Sequence, residues 1–123
     1  MPASCPSPIN PKENPVISPD QWSTIRSLVD WIDRENGRSP HEIAVRILKV
    51  TEEAGEVASA YIGMTGQNPR KGITHSRADV EAELCDVIIT AAVALASLTD
   101  QPAAVLDAKL AKVADRAAVT PAP

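Results

Sequence analysis

An all-α domain, a bundle of four helices, is the fold class this sequence predicts, and three observations carry it. The hydrophobic content is 44% of 123 residues, yet it is almost wholly aliphatic, with two Trp, one Tyr and no Phe. Alanine-rich, aromatic-poor composition favours closely packed helices over a sheet. Four stretches also carry apolar residues at helical spacing, and short Gly- or Pro-containing connections separate them. A chain of this length has room for one core, not two.

Six of the eleven prolines fall in the first nineteen residues. Residues 1–17 therefore read as a disordered Pro-rich tail, followed by a helical domain over 18–117 and a flexible end over 118–123. The first helix opens at "SPDQW", with Ser18 as N-cap, Pro19 at the first helical position and Gln21 closing a capping box. Trp22, Ile25, Leu28, Val29 and Ile32 follow as its apolar stripe, and Gly37 is the expected left-handed stop. "SPHE" at Ser39–Glu42 repeats the opening device for a second helix reaching about Ile62, with the stripe Ile43, Ile47, Val50, Ala54, Val57 and Tyr61. A Gly-, Pro- and Asn-containing loop comes next. Ser76 with Asp79 then caps a third helix whose stripe is Val80, Leu84, Val87, Ala91, Leu95 and Leu98. After "TDQP" a short fourth helix is expected from Pro102 to Ala117.

Charge and targeting signals narrow the function classes. A net charge of −4 supplies no basic face for nucleic acid. There is no apolar run for a signal peptide and none of the 18 or more residues a membrane span needs, so the expectation is a cytoplasmic protein without membrane attachment. Cys5 lies in the tail and Cys85 in an apolar helical run, which argues against a disulfide between them.

The acidic residues are the informative feature. "KVTEEAGEVASAY" places Glu52, Glu53 and Glu56 in the second helix, and "EAELCDVII" places Glu83 and Asp86 in the third. At about 100° per residue, Glu53 and Glu56 lie roughly 60° and 120° to one side of Val50, and Glu83 and Asp86 stand in the same relation to Val80. Glu52 points largely outward. If the two helices form an antiparallel hairpin, equivalent flanks fall on the same side, and all four carboxylates meet at one level roughly 10–15 Å below the loop. Two carboxylates 4 Å apart repel by about 4 kcal/mol at an effective dielectric of 20, so protons, intervening basic side chains or a bound cation must relieve the cluster. Hard oxygen donors without His or Cys suit Mg2+, or Mn2+ in its place, better than zinc. A lone ExxE is usually a solvated helix flank. Two such pairs at matching angles and heights favour the metal.

These residues resemble a known signature. "EEAGE" followed by "ELCD" is similar to the EExxE…ExxD pattern of the all-α nucleoside triphosphate pyrophosphohydrolases, the MazG-like superfamily, and "NPRKG" in the loop resembles its small single-domain members. The resemblance covers the second and third helices and omits the Pro-rich tail. It implies Mg2+-dependent hydrolysis of a (d)NTP to monophosphate and pyrophosphate, of the house-cleaning kind. Glu53, Glu56, Glu83 and Asp86 match the metal ligands, and Glu52 and Glu53 the catalytic acids, with Glu52 orienting water at most. It also implies a homodimer or homotetramer with sites completed by neighbouring subunits. Lys49, Arg70, Lys71, Lys109, Lys112 and Arg116 are the candidate phosphate contacts, with Arg46 near them. Trp31, off its stripe, is placed to line a base pocket or an oligomer interface, and Tyr61 and His75 to stack on a base. The rivals are a phosphoribosyl-ATP pyrophosphohydrolase, which would share the acids, and a bundle that binds nucleotides or a partner without turnover. A di-iron bundle is disfavoured because neither acidic pair is ExxH.

Overall fold

The computed structural model describes residues 14–119. Among them are four helices and no strands: α1 (Pro19–Asn36), α2 (Pro40–Thr65), α3 (Arg77–Leu98) and α4 (Pro102–Arg116). The helix starts follow from local chemistry. Ser18 Oγ accepts from Gln21 N while Gln21 accepts in return from Ser18 N, and Ser76 and Asp79 form the same reciprocal pair. At α2 only half of the expected box forms. Ser39 caps Glu42 N, but the Glu42 carboxylate turns to Arg46 instead. Gly37 stops α1 at φ 76, ψ −167, a glycine-only region rather than the left-handed helical one. Helix α2 runs one turn past Ile62 and stops at Gly66, which does take the left-handed conformation.

Residues 14–17, grouped with the tail by composition, belong to the folded part. Val16 N donates to Asp107 Oδ1 at 2.9 Å, and Ile17 packs on the core. Residues 1–13, including Cys5, and 120–123 lie outside the described residues.

Helix α3 is the centre of the fold. It packs most extensively on α2, next on α1, and only lightly on α4, which breaks away from it at 118°. The α1–α3 contact is the apolar core: Ile25 and Val29 against Ala92, Val93 and Ala96, with Trp22 and Ile32 beside them. Only Val29 among the large side chains is fully enclosed. Along α2 and α3 the contacts run in opposite order. Gly63 O accepts from Thr74 N near the loop, Glu53 meets Glu83 and Asp86 midway, and Arg46 reaches Ser97 at the far end.

The far end is held by charge. Arg46 is 3% exposed and spends its donors on Glu42 Oε1 (3.1 Å), Asp33 Oδ1 (2.8 Å), Ser97 Oγ (3.2 Å) and Gly37 O (2.9 Å). Arg38 binds both oxygens of Asp33 and the carbonyl of Ser97, and Arg26 donates to Ala96 O. Two arginines thus supply the last carbonyls of α3, whose own last turn carries no basic residue. Burial opposes ionisation of Asp33, but the hydrogen bonds from Arg46 and Arg38 outweigh it and hold the carboxyl below its ordinary range. The proximity of Arg46 to the acids in sequence therefore has a structural meaning. It is a clamp joining α1, α2 and α3, and it is not available to phosphate.

The expected stripes are corrected by rotation. On α2 the residues turned inward include Ile43, Arg46, Val50, Glu53, Val57 and Ala60, centred about 30° from Val50 on the acidic side. On α3 they include Val80, Glu83, Val87, Thr90 and Ala94, displaced about 40° to the same side. Ile47, Ala54 and Tyr61 of the one stripe, and Leu84, Ala91 and Leu98 of the other, are exposed. The physical reason is that Arg46 must face its partners, and the buried small residues Ala60 and Ala94 fill the same face. Among the described residues, no single helix is long and apolar enough to cross a membrane.

Candidate metal centre

The rotation that exposes half of each apolar stripe brings acids into the α2–α3 contact. Measured from its centre, Glu53 and Glu83 lie about 20–30° away, and Glu56 and Asp86 about 80–90° away on one side. Burial agrees: Glu53 and Glu83 are half-buried, while Glu56 and Asp86 are exposed at the edge. One carboxylate oxygen from each of Glu53, Glu83 and Asp86 lies within 4.8 Å of the others. Glu56 stands outside that triad but inside its field. Partial burial first, then the charges of Asp86, Glu56 and Glu53, push the Glu83 carboxyl above its ordinary range, and His75 opposes them weakly. Three acids converging on a fourth that resists ionisation is the electrostatic condition a hard divalent cation relieves.

This has a measurable consequence. A carboxyl whose folded pKa is raised contributes stability below its unfolded value and loses it as pH rises through the folded one. Metal-free protein should therefore become more stable on acidification from neutrality into the range just above pH 4.5, the ordinary Glu83 value. Glu83→Gln should raise the metal-free midpoint at pH 7 and flatten that segment of the profile. Asp33 and Asp79 act oppositely, being held below 3.8, so their loss of stability begins at lower pH. Thermal midpoints of both chains with chelator, from pH 4 to 8, test this, and a Glu83→Gln chain less stable than wild type at neutrality would sink it.

The remaining candidates are placed less centrally. Glu52 points out and its Oε1 lies 3.4 Å from Lys49 Nζ, both side chains well exposed. The structure does not bring Glu52 into the cluster, and an ion pair of this exposure contributes little. Arg70 and Lys71 are exposed on the loop over residues 66–76, at the same end of the pair as the acids. Lys109, Lys112 and Arg116 are exposed on α4, which departs from the opposite end of α3. Asp86 and Leu98 alone are about 18 Å apart along the helix axis, so within one chain this basic run is not assembled with the acids. Trp31 is 54% exposed on α1, whose contact with α3 is at Ala92–Ala96, and it too is remote from the cluster. Tyr61 faces out on the side away from the acidic edge.

A cavity of about 260 Å³ opens beside the loop, lined by Ser59, Ile62, Gly63, Gln67, Asn68, Lys71, Gly72, Thr74 and His75. The acid pattern carries no sign of Ser59, Gln67 or Asn68. The one available signal is Gly63, a glycine inside an otherwise regular helix, where a close approach is the usual cause. Helix α2 approaches the loop closely there, since a Cβ on Gly63 would collide with His75 Nδ1 and Thr74 Oγ1. Cys85 is exposed and free. The chain matches no protein-family model, and neither a curated protein nor a solved structure matches it.

Proposed function

We propose that the protein is a Mg2+-dependent nucleoside triphosphate pyrophosphohydrolase of the MazG-like kind, built on a four-helix bundle with an antiparallel α2–α3 pair and working in the cytoplasm. The observation that carries this reading is the convergence of Glu53, Glu83 and Asp86 oxygens within 4.8 Å from two helices. The EExxE…ExxD spacing adds the triphosphate to what would otherwise be a bare cation site.

Glu53, Glu83 and Asp86 would hold Mg2+ (or Mn2+), with Glu56 at the open edge completing the oxygen set. When bound there, the ion neutralises phosphate charge and polarises the α-phosphorus toward attack by water. The chain does the positioning. Glu53 and Glu83, half-buried between the helices, fix the depth of the site, and Asp86 and Glu56 set its solvent-facing edge. Glu56, exposed and outside the triad, is better placed than Glu52 to accept a proton from an attacking water. Arg70 would approach the triphosphate from the loop while Lys71 lines the adjoining cavity, and Lys49 can leave its weak pair with Glu52 to join Arg70.

The same rotation supports a homo-oligomer. On an antiparallel pair, Ile47 and Tyr61 of α2 and Leu84 and Ile88 of α3 fall on the side opposite the acidic edge, and all are 45% exposed or more. They continue into an apolar groove between α1 and α3 lined by Ile17, Ile25, Leu28 and Ile89. A second copy laid on this face would bury a central apolar patch, and specific interfaces need about 800 Å² per partner. Ile88→Asp should convert the oligomer to monomer in sedimentation at micromolar concentration; wild type sedimenting as a monomer would remove this part of the proposal.

The function itself is tested by product analysis on a panel of canonical and modified (d)NTPs with Mg2+. Monophosphate plus pyrophosphate is expected. Diphosphate plus phosphate would place the cut at the wrong bond. Turnover of phosphoribosyl-ATP alone would move the protein to that branch, and no turnover with cation still bound would leave a binding bundle.

A further inference from the structure

We infer that the cavity beside the α2–α3 loop binds the base of the nucleotide and favours a base whose edge presents carbonyl oxygens. This deepens the pyrophosphohydrolase reading and rests on it.

Gly63 follows Glu56 by seven residues, which places it about 10 Å further along α2 and within about 20° of the same face. At Gly63 the cavity thus reaches the acidic edge beyond the cluster, and Ser59 and Ile62 carry its wall on round the outer side of α2. Neighbouring phosphates of one triphosphate chain cannot bridge that gap, whereas a nucleoside extending away from its α-phosphate can. His75, on the cavity wall, is also near enough to Glu83 for the two charges to interact.

The chemistry of the walls points the same way. Lys71, Ser59, Gln67, Asn68 and His75 line the cavity without any acid among them, one to two turns along α2 from the acids. Lys71 makes no ion pair among the described residues. Asn68 Oδ1 accepts from Arg70 N at 3.0 Å, which leaves its amide Nδ2 as a donor. Carboxamides read base edges by paired hydrogen bonds, and an imidazole plane can stack on a base. Lysine donates only, so the edge it meets must accept.

The imidazole is held for this work. His75 Nδ1 lies 2.9 Å from Thr74 Oγ1, and Thr74 N donates to Gly63 O at 2.9 Å. Only a glycine at 63 allows that approach. The other ring nitrogen, Nε2, remains for the ligand. The α3 N-terminus, by contrast, is already closed by the Asp79 carboxylate on Ser76 N and does not compete for an anion.

The test is calorimetric titration of the full chain in Mg2+ with α,β-methylene dUTP, α,β-methylene dATP and methylenediphosphonate. Wild type is expected to bind the dUTP analogue more tightly than the dATP analogue. His75→Ala and Gln67→Ala should each weaken the dUTP analogue about tenfold, the size of one stacking or edge contact. Neither should alter diphosphonate affinity or the thermal shift produced by Mg2+ alone. Equal weakening of diphosphonate would make the cavity a phosphate site and overturn the inference. Unchanged affinity for both nucleotide analogues in both variants would overturn it too, while leaving the pyrophosphohydrolase reading standing. No affinity of wild type for either nucleotide analogue would overturn both.

Discussion

Arg46→Ala is expected to cost about 3–5 kcal/mol of stability, the range for removing one partner of a buried charge network. That is a large share of the roughly 5–15 kcal/mol that holds a typical domain folded. Arg46 is enclosed, and the groups it serves come from α1, its C-terminal cap, α2 and α3. Its loss leaves Asp33 with Arg38 alone and frees the Glu42 carboxylate, so the partial exposure of both acids places the effect toward the lower end. Arg46→Lys should recover little, because one ammonium cannot satisfy four acceptors spread over a planar fork. Urea unfolding midpoints read both variants. A change below about 1 kcal/mol in Arg46→Ala would mean that the clamp is only decorative and that apolar contacts hold the three helices.

Glu53→Gln and Asp86→Asn should each lower kcat/KM at least about 100-fold, since a bound cation contributes several kcal/mol of transition-state stabilisation and each ~1.36 kcal/mol is a factor of ten. The same variants should lose the thermal stabilisation that Mg2+ produces, which for wild type reaches about 2.7 kcal/mol at a hundredfold excess over Kd. The two readouts discriminate. Activity lost with the Mg2+ shift retained would make these acids catalytic without being ligands. Both retained would dissolve the metal centre. Glu52→Gln serves as the contrast, and only a small change is expected, because Glu52 lies outside the cluster beside Lys49.

The legibility of the site is uneven for physical reasons. Relative angles along a helix follow from residue spacing alone, so the juxtaposition of Glu53 with Glu83 and Asp86 is already legible in the sequence. The depth of each acid is not. The apolar stripes point to a contact centred on Val50 and Val80, with the acids on its flank. In the folded chain Glu53 and Glu83 are near its centre. The basic residues are the least legible part. Arg46 reads identically as a phosphate ligand or as a clamp until Asp33, Gly37 and Ser97 are seen around it. Lys109, Lys112 and Arg116 resemble a phosphate-binding run, and the 118° break before α4 carries them away from the acids of their own chain.

By itself the sequence determined where each helix begins and which acids share a face. Those are local matters, decided by caps such as Ser18–Gln21 and Ser76–Asp79 and by helical periodicity. Only the tertiary structure decided which side of α2 and α3 turns inward, that Arg46 joins three helices, and that residues 66–76 wall a cavity against Gly63. An alanine-rich helix offers several faces of nearly equal hydrophobicity, so the partners demanded by one buried guanidinium decide among them.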